Sequence, residues 1–374
     1  MNLLFAINAG YIPVFRECLR SVCKNGGADH YSVWILQSDF EEKDRKDIEE
    51  TFETVDFHFV DVDLSLFEAF PTSSRYPVQI FFRLAAPLLI KEDIDRILYL
   101  DGDTLVINPL QELYDTDFEG NLVAACSHTS DVMDYINKVR LGMSEVTPYI
   151  NSGVMLMNIP ELRKTLSLDD IQNYAHTHEL VLFLPDQDIL TALYGTRIKQ
   201  MDSWKWNLGN IHFTSPELGL LSKEKRLEWV RQNTSIIHYY GSSKPWKPGY
   251  HMPLGIFYDE IVRHTDLWLV IDPNEAKSML KEIPNTILID ATALMQVHPM
   301  ITDSEANKLR IVSLAELIQN YIDSPVYKTI LFYPGSMENA QVKEIFERLS
   351  LTNCSLFTQT ETTRQTQQKA EEQA

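Results

Sequence analysis

The sequence predicts an α/β protein: a mainly parallel sheet with helices on both faces, followed by a smaller α/β segment. Three observations predict it. Residues 1–62 read as strand, helix, strand, helix, strand, an order that favours a parallel sheet. The apolar run 97–100 stops abruptly at Asp101-Gly102-Asp103, as a buried strand does on reaching the ligand-binding edge of such a sheet. After about residue 266 the strand–helix pattern starts again.

Residues 3–8 form the first strand, and Pro13 suits the first turn of the helix that follows. Val14, Cys18, Leu19 and Val22 recur at helical spacing, and Gly26-Gly27 ends that helix. Residues 31–37 and 55–62 are strands on either side of a charged helix over 41–52. Residues 80–90 predict a buried helix with one charge, Arg83, which either makes a structural ion pair or reaches toward a phosphate or sugar. Strands are expected at 104–107 and 122–125, and the polar triplet Asn151-Ser152-Gly153 heads an apolar strand over 149–157. Pro185 opens a helix whose first turn holds Asp186, Gln187 and Asp188; acids there suit the positive end of the helix and can be plain caps. A strand over 236–240 contains His238, a Gly/Pro loop follows, and residues 253–263 form a last helix.

The 374 residues suffice for a catalytic-sized domain over 1–265 and an add-on over 266–358. In the add-on, helices are expected at 274–282, 314–322 and 342–349, and strands at 286–290, 329–333 and 355–358. The tail 359–374 is polar and expected to be disordered. A net charge of −20 argues against nucleic acid or an anionic membrane as the main partner. Four scattered cysteines form no zinc-type pair and read as reduced thiols. The apolar start is too short for a signal peptide, and no run reaches transmembrane length, so a cytoplasmic chain is expected.

Asp101 and Asp103 project to one side of an extended chain, with a glycine between them that allows close approach. Two carboxylates so placed suit a hard divalent cation facing a phosphorylated substrate. An EF-hand calcium loop fails, because its sixth position would be Val106 instead of glycine. A haloacid-dehalogenase-type phosphatase also begins with a strand and Asp-x-Asp, but on its first strand, whereas three strands precede this one.

A third reading comes from a resemblance. Residues 3–8 with Tyr11, Arg83-Leu84, Tyr99-Leu100-Asp101-Gly102-Asp103-Thr104, Asn151-Ser152-Gly153-Val154, Asp186-Gln187-Asp188-Ile189-Leu190 and the segment from His238 to Trp246 resemble the ordered signatures of family 8 glycosyltransferases. These are retaining enzymes of the GT-A nucleotide-diphospho-sugar transferase fold. The resemblance runs from residue 2 to about 263. It implies Mn²⁺, with Mg²⁺ as the alternative, held by Asp101, Asp103 and His238. It also implies a UDP-hexose donor whose uridine meets Ala6, Asn8 and Tyr11 and whose diphosphate meets Gly241 and Lys244, with Gly102 among the donor-binding residues. The hexose would meet Arg83, Asn151, Asp186 and Gln187.

For catalysis, Gln187, Asp186 and Asp188 are the candidates; Gln187 is an amide and a poor nucleophile, and Asp188, one residue further along a helix, should point elsewhere. Same-face attack assisted by Gln187 is therefore expected. Galactose is favoured over glucose by the resemblance alone. The acidic balance and the add-on favour a protein-linked glycan acceptor, as on a serine-rich bacterial adhesin, over a lipopolysaccharide or capsule acceptor. The add-on would grip that acceptor or a partner glycosyltransferase. A non-catalytic glycan-binding scaffold would predict loss of Asp101, Asp103, His238 or Lys244, and all four are present.

Overall fold

The computed structural model describes residues 1–68, 70, 77–214, 222–247, 249–262, 265–270, 272–282, 286–291, 311, 314–319, 329–334, 337–349 and 354–358. The chain divides into two compact units, Met1–Gly255 and Ile256–Ala374. The expected tail over 359–374 lies outside the described residues.

In the first unit seven strands form one sheet: β1 (Asn2–Ala6), β2 (Tyr31–Gln37), β3 (Val55–Asp61), β4 (Arg96–Leu100), β6 (Val123–Ser127), β7 (Ile150–Asn158) and β8 (Ile198–Met201). Their order is β3-β2-β1-β4-β7-β6-β8. Only β7 runs against its neighbours, pairing antiparallel with β4 and β6, so the sheet is mixed but mainly parallel. The expected order at the start of the chain is found, with helices Ile12–Asn25 and Glu42–Thr51 between the first three strands.

The reason is burial on both faces. Leu3 and Phe5 of β1 enter one apolar cluster with Phe15 and Leu19, while Leu4 enters another with Phe81, Leu84 and Tyr99. Strands packed on both sides need near-continuous apolar sequence, and β1, β2 and β4 have it. The helix Gln79–Leu89, which carries Arg83, and the helix Pro185–Tyr194 pack against the sheet side that holds Tyr99.

The antiparallel course of β7 matters most for the site. Val154 pairs with Leu100, so the start of β7 lies beside the end of β4. The backbone N–H of Asp101 donates to the Gly153 carbonyl at 2.8 Å. Beyond the Asp-Gly-Asp turn, β5 (Thr104–Val106) leaves the main sheet and pairs antiparallel with β9 (Ile236–His238), Thr104 opposite His238. The strand anticipated over 236–240 ends at His238, and Tyr239 returns a backbone hydrogen bond to the Asp103 carbonyl at 3.0 Å.

The second unit holds four parallel strands, β10 (Thr265–Leu269), β11 (Thr286–Asp290), β12 (Thr329–Tyr333) and β13 (Cys354–Thr358), in the order β11-β12-β10-β13. Helices Pro273–Glu282 and Asn339–Arg348 accompany them, and Leu267, Ile289, Ile330, Phe332 and Ile345 share a core. This is the anticipated small α/β unit, with β10 an inner strand that the sequence reading passed over. The helix Gly255–Ile261, expected to close the first domain, falls almost wholly within the second unit.

Candidate active site

At the carboxyl ends of β1 and β4 lies a cavity of 580 Å³. Ala6, Asn8 and Tyr11 line it from the first strand and its exit turn. Asp101, Gly102 and Asp103 line it from the end of β4, and His238 and Gly241 from β9 and its loop. Arg83, Asn151, Asp186 and Gln187 complete it from two helices and the head of β7. Segments more than a hundred residues apart in sequence converge because a parallel sheet gathers its strand ends along one edge.

Asp101, Asp103 and His238 can each offer one atom to a common point, all within 4.8 Å of one another. The His238 Nε2 is 3.2 Å from Asp103 Oδ1 and 3.6 Å from Asp101 Oδ2. Its other nitrogen, Nδ1, donates to the Asn207 Oδ1 at 2.9 Å, so that in the neutral ring the Nε2 lone pair faces the two carboxylates and is free for a metal. Asn207 in turn donates from Nδ2 to the Asn151 Oδ1 at 3.0 Å. One wholly buried amide therefore ties a metal-ligand candidate to a sugar-contact candidate. The donor set, two carboxylates and a neutral imidazole, fits a divalent cation of the Mn²⁺ type. Gly153 is required for this geometry: a Cβ there would lie 2.1 Å from His238 Cε1 and 2.7 Å from Asp101 Oδ2. Gly241 answers a different need, since its φ of +89° is left-handed backbone.

Arg83 is buried and links the halves of the site, with Nη2 2.9 Å from Asp101 Oδ1 and Nη1 3.3 Å from Asp186 Oδ2. Burial alone would lower its guanidinium pKa, but Asp101, Tyr99 and Asp186 outweigh that and hold it above its ordinary value. Of the two readings left open for Arg83, the ion pair is found, and it stands on the cavity wall. Burial raises the Asp186 carboxyl above the usual carboxylate range, against the opposing pull of Arg83 and of the Ser152 hydroxyl that donates to it at 2.6 Å. Burial also favours the neutral acid of Asp103, but Lys244 and, when it carries a proton, His238 prevail over burial and keep its pKa low. Gln187 is held at both ends: Oε1 accepts from the Ser152 N–H at 3.2 Å, and the side chain hydrogen-bonds the Tyr149 hydroxyl.

Two candidates stand elsewhere. Lys244 does not line the cavity; its ammonium pairs with Asp103 and donates to the Tyr239 carbonyl at 2.8 Å. Lys247, three residues on in the same loop, does line it. Asp188 is a correction to the catalytic set. It is fully buried, ion-paired with Arg140 at 2.6 Å, and accepts from the Tyr149 hydroxyl and the backbone N–H groups of Phe183 and Leu184. Its oxygens are saturated on the far side of Gln187, where the helix turn sends it. Ser152, Tyr240 and Lys247 were missed as lining residues; all three sit within or next to the motif blocks already singled out. Asn207, outside every block, carried no sequence signal.

The chain is similar to known proteins. The sequence model of Glycosyl transferase family 8 matches residues 2–248. General stress protein A of Bacillus subtilis (strain 168) is 27% identical over 246 residues, 62% of this chain and 82% of that protein. Lipopolysaccharide 1,2-glucosyltransferase of Escherichia coli (strain K12) is 24% identical over 287 residues, 75% of this chain and 82% of that one. The crystal structure of the galactosyltransferase LgtC in complex with donor and acceptor sugar analogs superposes with a TM-score of 0.59 at 25% identity, covering 70% of this chain and 95% of LgtC. A transferase of this kind implies a nucleotide-sugar donor and a glycan acceptor, and no described helix is long and apolar enough to cross a membrane. A mixed sheet of mainly parallel strands, a two-carboxylate and histidine cluster at its ligand edge, and these likenesses lead to one conclusion: the chain belongs to glycosyl transferase family 8 and has the GT-A fold.

Proposed function

We propose that this transferase is a retaining enzyme that moves galactose from UDP-galactose to a glycan acceptor carried on a protein. The observation that carries the reading is the division of one cavity: a cluster of two carboxylates and a histidine on one wall, and Arg83, Asn151, Asp186 and Gln187 on another. The first wall suits a diphosphate. The second offers hydrogen-bonding groups held in place by Ser152 and Tyr149, which is how a site distinguishes sugar hydroxyls.

Mn²⁺ held by Asp101, Asp103 and His238 would offset negative charge on the departing diphosphate. Lys244, beside Asp103, and Lys247 on the cavity wall add positive charge to the same region. Asn8 and Tyr11 receive the uridine, with the Tyr11 ring lying against Gly102. Arg83 and Asp186 orient the hexose. The acceptor oxygen bonds to the anomeric carbon on the face from which UDP departs, the bond from that carbon to the diphosphate oxygen breaks, and the acceptor proton passes to a phosphate oxygen. Gln187 contributes its remaining Oε1 lone pair to the positively charged sugar ring. The net charge of −20 favours a protein-linked acceptor, such as a serine-rich adhesin, and the second unit would grip that acceptor or a partner enzyme.

Purified protein incubated with Mn²⁺ and either UDP-galactose or UDP-glucose tests the reading. UDP release greater with UDP-galactose, abolished by chelation and restored by Mn²⁺, is expected. Preference for UDP-glucose would reassign the sugar; phosphate release from a phosphomonoester with no UDP release would replace the transferase mechanism. Gln187→Ala should lower kcat by about 10-fold or more, and near-full kcat would remove Gln187 from the chemistry.

A further inference from the structure

We propose that the first unit carries a second carbohydrate site, remote from the donor cavity, that binds a neutral stretch of glycan. It is a groove of 530 Å³ at the opposite end of the β5–β9 pair. Thr104 and His238 mark the donor end of that pair, and Val106 and Ile236 mark the other. There β5 runs out into Asn108 and Pro109, and β9 is entered through Asn233, Thr234 and Ser235.

The side chains in the groove have the chemistry of sugar recognition. Trp229, on the helix Lys223–Asn233, is half-buried, and its ring is set edge-on to Trp204 at 6.0 Å and 88°. An indole so held is a fixed apolar platform for the C–H face of a pyranose. Around it stand amides that each already donate at least one hydrogen bond within the protein. Asn108 Nδ2 donates to the Arg231 carbonyl at 2.8 Å and to the Thr234 carbonyl at 2.6 Å. Gln232 Nε2 donates to Glu228 at 2.7 Å, and Asn233 Nδ2 donates to the Trp229 carbonyl at 2.8 Å. Each such amide keeps a carbonyl oxygen that accepts hydrogen bonds, which matches a ligand rich in O–H donors.

Other ligand classes fit poorly. Lys205 is the cationic side chain among the described lining residues, and it is paired with Glu112, while Asp202 adds further negative charge. A phosphate or carboxylate would meet net repulsion. A purely apolar ligand would strip water from the amides without replacing their hydrogen bonds. A neutral polyol with one apolar face satisfies both the ring and the carbonyls. The site depends on no step of the donor chemistry, and it would let one chain hold a glycan at a point other than the one it modifies.

The test reads binding, not transfer. The full-length chain carrying Asp103→Asn is titrated with lactose, maltotriose, cellotetraose and tri-N-acetylchitotriose, followed by tryptophan fluorescence and calorimetry. At least one probe should bind with a Kd of about 1 mM or tighter, a modest affinity of a few kcal/mol. Adding Trp229→Ala should weaken that binding about 10-fold or more, and adding Gln232→Ala should weaken it less. In the otherwise native chain, Trp229→Ala should leave UDP-sugar hydrolysis unchanged. If no probe binds, or if neither substitution weakens binding, the proposal is overturned. Absence of UDP release from the native chain would fail the donor reading alone, because this binding is measured without it.

Discussion

Two clusters flank Gln187, and they are built from the same parts. In one, Arg83 lies over the Tyr99 ring at 4.6 Å and pairs with Asp101, which accepts from the Tyr99 hydroxyl at 2.7 Å. In the other, Arg140 lies over the Tyr149 ring at 5.9 Å and pairs with Asp188, which accepts from the Tyr149 hydroxyl at 2.7 Å. What separates them is spare capacity. Asp188 has no exposed surface and takes two further backbone N–H bonds. Asp101 keeps 25% of its side chain exposed and turns its second oxygen toward His238. An arginine–tyrosine–aspartate cluster is therefore wall or active site according to whether lone pairs remain for something else.

The contrast can be broken from either side. Asp101→Asn should leave thermal stability nearly intact, since Asp186 still faces Arg83, but should cut UDP-sugar turnover by about 10³-fold or more through loss of a metal ligand. Asp188→Asn should do the reverse. Breaking a buried pair costs about 3–5 kcal/mol, so a large fall in denaturation midpoint is expected, with turnover per folded molecule reduced far less. Equal losses of activity in the two variants would erase the distinction. Next in size, Asn207→Ala should weaken Mn²⁺ binding, read by electron paramagnetic resonance, by about 10–100-fold, because it frees the His238 ring to turn. Unchanged Mn²⁺ affinity would make Asn207 a packing residue. The smallest effect belongs to the tyrosines: Tyr149→Phe and Tyr99→Phe should each cost roughly 1 kcal/mol of stability. Tyr149→Phe should also lower kcat more than it changes donor KM, since it releases one end of Gln187.

Much of this site was legible in the chain because three of its blocks pair a strand end with polar residues, while Arg83 and Asp186-Gln187 stand out as polar groups on apolar helices. Asp101-Gly102-Asp103 follows an apolar run, Asn151-Ser152-Gly153 precedes one, and His238 closes a third. The helix Asp131–Arg140, which the sequence reading passed over, shows the limit of local pattern. Its polar residues Asp134 and Asn137 are buried and its apolar Val132, Ile136 and Val139 are exposed. Asp134 faces inward because its carboxylate accepts from the Tyr149 N–H at 2.9 Å, a partner far outside the helix. The sequence reading chose Lys244 for the diphosphate and passed over Lys247; the turn of one loop gives the first to Asp103 and the second to the cavity.

By itself, then, the sequence determined the α/β class, the strands that end in chemistry and the family, since these depend on local pattern and on residue types at fixed spacing. Only the tertiary structure decided which carboxylates keep lone pairs for a ligand. It alone reversed β7, bringing Gly153 against Asp101, and placed the Asn207 amide between His238 and Asn151. Whether an oxygen is spent or available depends on every group that reaches it, and those groups come from parts of the chain that no local pattern connects.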